Sequence, residues 1–477
     1  MKELEYPFDA AYIIKKRKSL KKALLADGTS RIRKKIAVLG GSTTSDIVKT
    51  LELFLLDAGI EPEFYESEYA QYFQDAMFPD ETLLSFKPDI VFIHTTNRNV
   101  TDWPEMTDTT EQIDEKLHTE LNRFTAMWKS IAEKFHCPII QNNFEMPLYR
   151  LLGSRDAWDI HGRTNFLTRL NEAFYAYARE NESFYIHDLN FVSADYGLKE
   201  WSNPLFWNMY KYAMCFEAIP SFAFSVSHII KSIFGKNKKA LALDLDNTLW
   251  GGVVGDDGVD GIEIGQETGV SQSYYEFQTY VKQLKSLGIV LTVCSKNDHE
   301  NAIAGLNHPE GALRPDDFVI IKANWENKDR NIAETAAELN ILPDSIVFAD
   351  DNPAEREIVR TQIKGAAVPD MDGVENYITT IDRSGFFEVT TFSEDDLKRN
   401  EMYKKNALRA AEMASFGDYN DYLKSLEMHA VIDDFIPVYL ARITQLTNKS
   451  NQFNVTTRRY TPAEMESVFE DDSYIRL

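Results

Sequence analysis

Short apolar runs alternate with longer amphipathic stretches along most of this chain. Five runs in the first half have the length and composition of buried strands: Lys35–Leu39, Glu63–Tyr65, Pro88–His94, Cys137–Gln141 and Phe184–Asp188. The intervening stretches Leu117–Phe135 and Leu167–Ala178 have helical periodicity. Strands that alternate with helices favour parallel sheets covered by helices, so the pattern predicts a multi-domain α/β fold.

One apolar strand in the second half ends in paired acids. In Leu241–Trp250, LALDLDNTLW, the strand leads into Asp244 and Asp246, with Thr248 at the same spacing. Two carboxylates at a buried strand end repel each other and cost desolvation energy. A cation between them relieves both effects, and hard oxygen ligands suit Mg²⁺. With Mg²⁺ bound, Asp244 could be a nucleophile on phosphorus and Asp246 a general acid and base.

Three further elements follow in the order that phosphoryl transfer requires. The strand Ile289–Ser295 presents Ser295, whose hydroxyl could bond a phosphate oxygen. Lys328 precedes a helical pattern and could neutralise the phosphate or the nucleophile. A last strand, Ser345–Asp351, again ends in paired acids. Four polar strand ends that occur together by chance are the alternative interpretation.

The order DxDxT, Ser, Lys, DD resembles the four motifs of the haloacid dehalogenase (HAD) superfamily. This resemblance implies a Mg²⁺ ion held by Asp244, by the backbone carbonyl of Asp246 and by Asp351, with Asp350 supporting Asp351. It also implies that the glycine-rich stretch Trp250–Gly265 forms a mobile flap over the cleft. Three further residues near the motifs are expected to bind substrate: Thr248, Asn297 and Asn352.

Longer strings resemble one branch of that superfamily, the FkbH-like family of subfamily IIIC. They are LDLDNTLWGGVVGDDGVDGIEIG (Leu243–Gly265), VCSKND (Val293–Asp298), IKANWENKDRNI (Ile321–Ile332), FADDNPAERE (Phe348–Glu357) and RITQLTNKSNQFNVTTRRYT (Arg442–Thr461). The resemblance implies an enzyme that takes 1,3-bisphosphoglycerate, removes phosphate and loads a glyceryl group onto the phosphopantetheine thiol of an acyl carrier protein. The thioester would then enter polyketide-type or related biosynthesis.

Cys294 has two interpretations. Bisphosphoglycerate is an acyl phosphate, so a thiol beside Ser295 could take the acyl group before passing it to the carrier. That role needs a lowered thiol pKa, which Lys296 or Lys328 could provide. Cysteine is also common in buried strands, and strand alternation points Cys294 away from Ser295. The sequence leaves both interpretations open.

The first domain is similar at its start to the SGNH-hydrolase fold. In that comparison Ser42 would be a nucleophile, and the Gly41 amide and Asn97 would donate to an oxyanion. A hydrolase of this kind also needs a base, and no Asp-x-x-His motif occurs between Asp188 and His228. We therefore favour a binding or scaffold role over an esterase.

The length of 477 residues exceeds one ordinary domain. We predict a basic helical segment at 1–34, an SGNH-like domain at 35–235 and a Rossmann-like HAD catalytic domain at 236–385. Residues 386–477 are predicted to form a helical linker and the opening of a GNAT-like acyltransferase module, which members of the family usually continue further. The chain would then be truncated or lack that module. Five polar residues there either face the HAD cleft or cap and cover a helix: Gln445, Asn448, Lys449, Asn451 and Asn454.

Composition limits the cellular compartment and the kinds of partner that the sequence allows. Three widely spaced cysteines give neither a disulfide framework nor a metal knuckle, which fits a cytoplasmic protein. The formal net charge of −24 argues against nucleic-acid binding, and no apolar run is long enough for a membrane span. Residues 1–35 differ from the rest, with eleven Lys or Arg against four Asp or Glu, a balance of +7. This basic segment is either a solvated helix or a docking patch for an acidic carrier protein.

Overall fold

The computed structural model describes residues 1–415, 424, 427–449, 456 and 458–476. The chain forms two compact units. The first consists of Met1–Leu4, Phe8–Phe234 and Tyr460–Asp471. The second consists of Glu5–Pro7, Gly235–Arg459 and Asp472–Leu477. Of the five polar residues predicted near the chain end, Asn451 and Asn454 lie outside the described residues.

The first unit contains a parallel sheet of five strands in the order β2-β1-β3-β4-β5. The strands are β1 (Ile32–Gly40), β2 (Ile60–Glu66), β3 (Ile90–His94), β4 (Ile139–Asn142) and β5 (Phe184–His187). Ten α-helices of this unit are α1 (Ala10–Ala26), α2 (Ser45–Asp57), α3 (Tyr72–Met77), α4 (Glu81–Phe86), α5 (Thr110–Phe135), α6 (Arg163–Glu180), α7 (Leu189–Tyr196), α8 (Leu198–Trp201), α9 (Pro204–Tyr210) and α10 (Ile219–Ile233). A further helix, Pro462–Glu470, also lies in this unit.

The basic helix α1 packs its apolar face into the first unit. Asp9 caps its N-terminus by accepting a hydrogen bond from the Tyr12 amide at 2.9 Å. Ile13, Leu20 and Leu24 recur at helical spacing and are buried in the same core cluster as α2 and α10. The apolar spacing therefore fixes the helix on the body of the unit and leaves its lysines on the outer face.

The other face of this sheet is closed by an aromatic core around Trp128 of α5. The Trp128 ring is buried 4.8 Å from Phe174 and 4.6 Å from Phe184, between centroids. Its indole Nε1 donates to Oε1 of the buried Gln141 on β4 at 3.0 Å. Because buried polar groups need partners, this bond specifies how α5 sits on the sheet.

Trp128→Phe is expected to lower the free energy of unfolding of the first unit by about 2–4 kcal/mol, because it opens a cavity and leaves Gln141 Oε1 without its donor. Denaturant titration followed by circular dichroism would measure it. Trp158→Phe, at an exposed indole, is the control and should change stability by less than about 0.5 kcal/mol. Equal effects at the two positions would contradict the assigned role of Trp128.

The second unit contains four parallel strands in the order β8-β7-β6-β9. They are β6 (Ala240–Leu243), β7 (Val290–Ser295), β8 (Ile320–Ala323) and β9 (Ile346–Ala349). Its helices are α11 (Val254–Asp257), α12 (Gly269–Ser286), α13 (His299–Leu306), α14 (Lys328–Glu338), α15 (Pro353–Gln362), α16 (Tyr377–Arg383), α17 (Glu394–Ser415) and the helix Leu440–Lys449. The predicted α/β fold with parallel sheets is thus confirmed. Among the described helices, none has the length and apolar character that crossing a membrane requires.

The order in which strands are added to the sheet reverses at β6. From β6 the chain adds β7 and then β8 on one side, and it returns to the opposite side of β6 with β9. Leu243 at the end of β6 is in register with Ala349 at the end of β9. Ligands of open α/β sheets bind at such a switch point, beyond the carboxyl ends of the strands. The paired acids of the sequence follow directly after both strands.

Candidate active site

Three carboxylates meet where β6 and β9 end. The Asp244 amide donates to the Ala349 carbonyl at 3.0 Å, which continues the strand pairing into the acids. Asp244, Asp350 and Asp351 each offer an oxygen, and these atoms lie within 4.8 Å of one another. Asp244 is buried and Asp350 is fully buried. The sheet register therefore brings together acids more than 100 positions apart in the sequence.

Lys328 is the cation that lies among these acids. It is the first residue of α14, and its side chain is only 3% exposed. The Nζ atom is 2.8 Å from Asp244 Oδ2 and 2.5 Å from Asp350 Oδ2. Burial by itself lowers the pKa of Lys328, but the two carboxylates outweigh it and raise the pKa above its ordinary value. The side chain is therefore held as an ammonium.

The positive charge of Lys328 does not offset the negative charges of all three acids. Burial raises the pKa of Asp350 to about 6, with the charge of Asp244 adding to the shift. The same two causes raise the pKa of Asp351. Asp244 Oδ1 is buried and has no hydrogen-bond partner among the described residues. A buried, unpartnered carboxylate oxygen beside two further acids is a donor set that fits a hard divalent cation such as Mg²⁺.

Asp246 is held by both of its oxygens. Its Oδ1 accepts from Trp250 Nε1 at 2.9 Å and from the Val254 amide at 3.0 Å. Its Oδ2 accepts from Asn297 Nδ2 at 2.8 Å. Burial raises the pKa of Asp246. Asn297, which we predicted to bind substrate, thus orients Asp246 in this structure.

The stretch Trp250–Gly265, predicted as a mobile flap, packs apolar side chains into the core of the unit, and its mobility stays a prediction. Gly251 and Glu263 exchange backbone hydrogen bonds at 3.0 and 2.8 Å. Gly252 has φ +90°, a conformation that favours glycine, and its amide donates to Asn247 Oδ1 at 2.9 Å. Apolar side chains of the stretch, among them Val254, are buried in the core. The glycines shape a packed loop.

Thr248 and Asn352, the other two residues predicted to bind substrate, bond to the acidic segment. Thr248 Oγ1 donates to Asp351 Oδ1 at 3.3 Å and accepts from the Asp351 amide at 3.1 Å. The Asn352 amide donates to Asp350 Oδ1 at 2.8 Å, and its side chain caps α15 by accepting from the Ala354 amide. Both residues therefore orient the acids, and their contact with substrate stays a prediction.

Ser295 and Cys294 end β7 in different surroundings. Ser295 is buried at the carboxyl end of the strand, at the same edge of the sheet as Asp244. Cys294 is 1% exposed, and its side chain packs in the apolar cluster that includes Ile332 of α14. Its Sγ lies 3.6 Å from the Lys328 carbonyl. Burial raises the pKa of the thiol well above its usual range. Of the two interpretations of Cys294, the geometry favours the packing role and disfavours an acyl carrier.

Arg356 is a residue that the sequence analysis missed. It is buried in α15, and its Nη1 donates to the carbonyls of Asp350 at 3.0 Å and Asp351 at 2.7 Å. Its Nη2 donates to Asp372 Oδ1 at 2.9 Å. The guanidinium thus fixes the backbone that presents the acids. Its place in the string FADDNPAERE, inside the first turns of the helix after the acids, is the signal that could have found it.

The first unit has a polar sheet edge of its own, but its predicted oxyanion donors are occupied. The Gly41 amide donates to the His94 carbonyl at 2.8 Å. Asn97 Nδ2 donates to the carbonyls of Glu145 at 3.3 Å and Met146 at 3.4 Å. Ser42 Oγ is buried with no partner among the described residues, so no base contacts it there. This arrangement disfavours an esterase, in line with the missing Asp-x-x-His motif.

Together, the sheet order and the acids around Lys328 define an α/β protein with a cluster of carboxylates, of the kind that binds cations, at a switch point of the sheet. Residues 35–231 match the family model of the FkbH N-terminal domain. The N-terminal part of protein BF1531 from Bacteroides fragilis, a crystal structure that contains a phosphatase domain complexed with Mg, is 31% identical with a TM-score of 0.70. The match covers 79% of this chain and 99% of that chain. The chain therefore belongs to the same family as that protein.

Other comparisons add little. A putative acylhydrolase from Bacteroides fragilis NCTC 9343 is 16% identical over 45% of this chain and 95% of that chain, with a TM-score of 0.26. A likeness of that size supports no argument about fold or function. No curated protein matches the sequence.

Asp351→Asn is expected to weaken Mg²⁺ binding by at least about tenfold, because it removes a charged oxygen from the group of carboxylates. Thr248→Val is expected to weaken it by up to about tenfold, because it frees the Asp351 carboxylate to rotate. Calorimetric titration with MgCl₂ would measure both without an activity assay. Asp260→Asn, at an exposed acid of the loop, is the control. Unchanged affinity in Asp351→Asn would contradict the assigned site.

A second prediction concerns Glu145 in the first unit. Burial raises the pKa of this carboxyl from 4.5 to about 8, although the Asn97 amide donates to it. Between these values the folded state binds more protons than the unfolded state, so stability falls as pH rises. Glu145→Gln should therefore stabilise the protein by roughly 2–4 kcal/mol at pH 8.5 and hardly at all at pH 4.5. Thermal melts across pH would show it, with the exposed Glu180→Gln as control, and a pH-independent difference would contradict it.

Proposed function

We propose that this chain is a Mg²⁺-dependent phosphatase of the HAD type that serves in glyceryl transfer. In this role it removes the C3 phosphate of a group derived from 1,3-bisphosphoglycerate and delivers the glyceryl group to an acyl carrier protein. The thiolate of the carrier attacks the acyl carbon, the bond from that carbon to the acyl phosphate oxygen breaks, and phosphate leaves. The observation that carries the proposal is the Asp244 carboxylate. One of its oxygens is paired with Lys328, and the other is buried beside Asp350 and Asp351 without a hydrogen-bond partner in the part of the chain that the structure describes.

The cation would be held by Asp244, Asp351 and the Asp246 backbone carbonyl, with Asp350 in support. When bound, Mg²⁺ supplies positive charge that neutralises phosphate oxygens and screens the acids from one another. The relative BF1531 was crystallised with Mg, which supports this choice of metal.

The chemistry then follows from the side chains themselves. A carboxylate oxygen of Asp244 attacks phosphorus, and the bond from phosphorus to the glyceryl oxygen breaks, which gives an aspartyl-phosphate. Asp246, held in place by Asn297, gives a proton to the leaving oxygen. It then takes a proton from the water that hydrolyses the aspartyl-phosphate. Lys328 stabilises negative charge at the nucleophile. The hydroxyl of Ser295, the last residue of β7, bonds a phosphate oxygen in this proposal.

The glyceryl part of the proposal rests on the long strings shared with the FkbH-like family of HAD subfamily IIIC. We include with it an SGNH-like architecture for residues 35–235 and an acyltransferase-like opening in the last segment. The order β2-β1-β3-β4-β5 and the Gly-Gly-Ser turn after β1 support the SGNH-like assignment. A cytoplasmic location and a phosphopantetheine-bearing partner belong to the same proposal.

A phosphatase that acts without a carrier is the second candidate. The burial of Cys294 favours it, because the thiol that could have accepted an acyl group inside this unit is enclosed in the core. A purely non-catalytic docking protein is less favoured. Such a protein has no chemical need to bury Asp244, Asp350 and Lys328 together at a cost in desolvation.

Mass spectrometry of a holo acyl carrier protein, incubated with this chain, Mg²⁺ and freshly generated 1,3-bisphosphoglycerate, tests the proposal. We expect a glyceryl adduct on the carrier and release of phosphate. Asp244→Asn should slow the loss of the C3 phosphate from the carrier-bound group by at least about a thousandfold because the nucleophile is lost, whereas the phosphate that leaves C1 when the thioester forms does not need Asp244. Asp260→Asn is the matched control and should retain activity.

The alternatives predict different masses. A phosphoglyceryl adduct on the carrier after incubation with Asp244→Asn would show that loading and dephosphorylation are separate steps. Phosphate release with an unmodified carrier would favour the second candidate. Cys294→Ala should leave loading intact. If this variant loses loading but still releases phosphate, the thiol of Cys294 would have the acyl-carrier role after all. If neither an adduct nor phosphate is formed, the proposal is contradicted.

A further inference from the structure

An exposed tryptophan lies in the loop that leads to Lys328. Trp325 follows β8 by two positions and is 71% exposed, so its ring is not part of the core. The indole Nε1 donates to Asp298 Oδ1 at 2.9 Å, which occupies its only donor. What the indole offers a ligand is therefore its apolar ring, in an orientation fixed by a hydrogen bond.

The loop around this indole is held on both sides. Asn324, the preceding residue, exchanges side-chain hydrogen bonds with the buried Asn331 of α14 at 2.9 and 3.3 Å. Its amide donates to the Ser295 carbonyl at 3.2 Å, which ties the loop to the end of β7. An apolar side chain on so constrained a loop loses little conformational entropy when a ligand covers it.

Trp325 is linked to the proton-transfer residue of the proposed mechanism. Asp298, its hydrogen-bond acceptor, follows Asn297, and Asn297 donates to Asp246 Oδ2. On the other oxygen, Asp246 accepts from the amide of Val254, whose neighbour Val253 is 37% exposed. Val253 thus belongs to one loop that holds Asp246, and Trp325, in the loop between β8 and α14, is hydrogen-bonded to the other.

The charge beside the indole indicates what it can bind. Asp298 accepts its hydrogen bond, and Glu326, the next residue, is an exposed acid paired with Arg330 at 3.2 Å. Lys296 is already paired with Glu355 at 2.7 Å. A nucleotide or a second phosphate would meet carboxylates here without a free cation among these residues. An uncharged, flexible arm with methyl and amide groups would cover the ring without that repulsion.

We propose that Trp325 and Val253 form a binding subsite for an uncharged pantetheine-type arm that already bears the phosphorylated three-carbon group as a thioester. The inference rests on the proposed function and adds the order of events: loading comes first and dephosphorylation second. Asp244 attacks phosphorus and the bond to the glyceryl oxygen breaks. That oxygen takes a proton from Asp246, and the thioester bond stays intact. Water then releases phosphate from Asp244.

The test compares two substrates that share the phosphate group. The first is the S-pantetheine thioester of 3-phosphoglycerate, and the second is free 3-phosphoglycerate. We expect kcat/KM for phosphate release to be higher for the thioester. Trp325→Ala should lower it about five- to tenfold for the thioester, mostly through KM, and less than about twofold for the free acid. Trp325→Phe should restore most of the loss, and Trp158→Ala, at another exposed indole, should have no effect.

A binding measurement separates failure of this subsite from failure of the proposed function. Asp244→Asn and the double variant Asp244→Asn/Trp325→Ala would be titrated calorimetrically with pantetheine. Weaker binding by the double variant supports the subsite even if the wild-type chain releases no phosphate. Equal binding by the two variants, or equal losses for both substrates with Trp325→Ala, would overturn it. Absence of phosphate release from either substrate would instead contradict the proposed function.

Discussion

The structure of the site depends on one electrostatic constraint, the burial of several carboxylates around a single ammonium group. Parallel pairing of β6 with β9 places Asp244 next to the acids that follow β9, and an oxygen of each acid lies within 4.8 Å of the others. Lys328 offsets part of the repulsion from 2.5 and 2.8 Å. Removal of one partner would leave an uncompensated buried charge, so the buried acids and the lysine depend on each other for stability. The remaining negative charge is what a bound cation would offset.

The surrounding residues keep these charges in place. Thr248 orients the Asp351 carboxylate, Arg356 fixes the backbone of both acids that follow β9, and Asn297 orients Asp246. A carboxylate that accepts hydrogen bonds on chosen oxygens has fewer orientations to lose when a metal or a phosphate binds. In the proposed mechanism the acids perform the chemistry, and the neutral and cationic neighbours determine where their oxygens point.

The two parallel sheets show how similar edges acquire different functions. At the edge of the first sheet, the amides of Gly41 and Asn97 are used within the protein, by the His94 carbonyl and by Glu145. At the edge of the second sheet, Asp244 Oδ1 is left without a partner among the described residues. Ser42 Oγ at the first edge is also buried without a partner among the described residues, so an unsatisfied polar atom alone does not define a site. The second edge differs because three acids and Lys328 lie together there.

The sequence by itself determined the α/β class, the positions of the main strands and the presence of polar strand ends. These features are local, since apolar runs of strand length and helical periodicity can be read from neighbouring residues. The long strings around Asp244, Lys328 and Asp351 also indicated the family. Tertiary structure alone decided how polar neighbours are used. Asn297 and Thr248 bond to acids across the fold, Arg356 holds a backbone, and Cys294 faces the core. Such roles depend on distances between segments far apart in the chain, which no local pattern encodes.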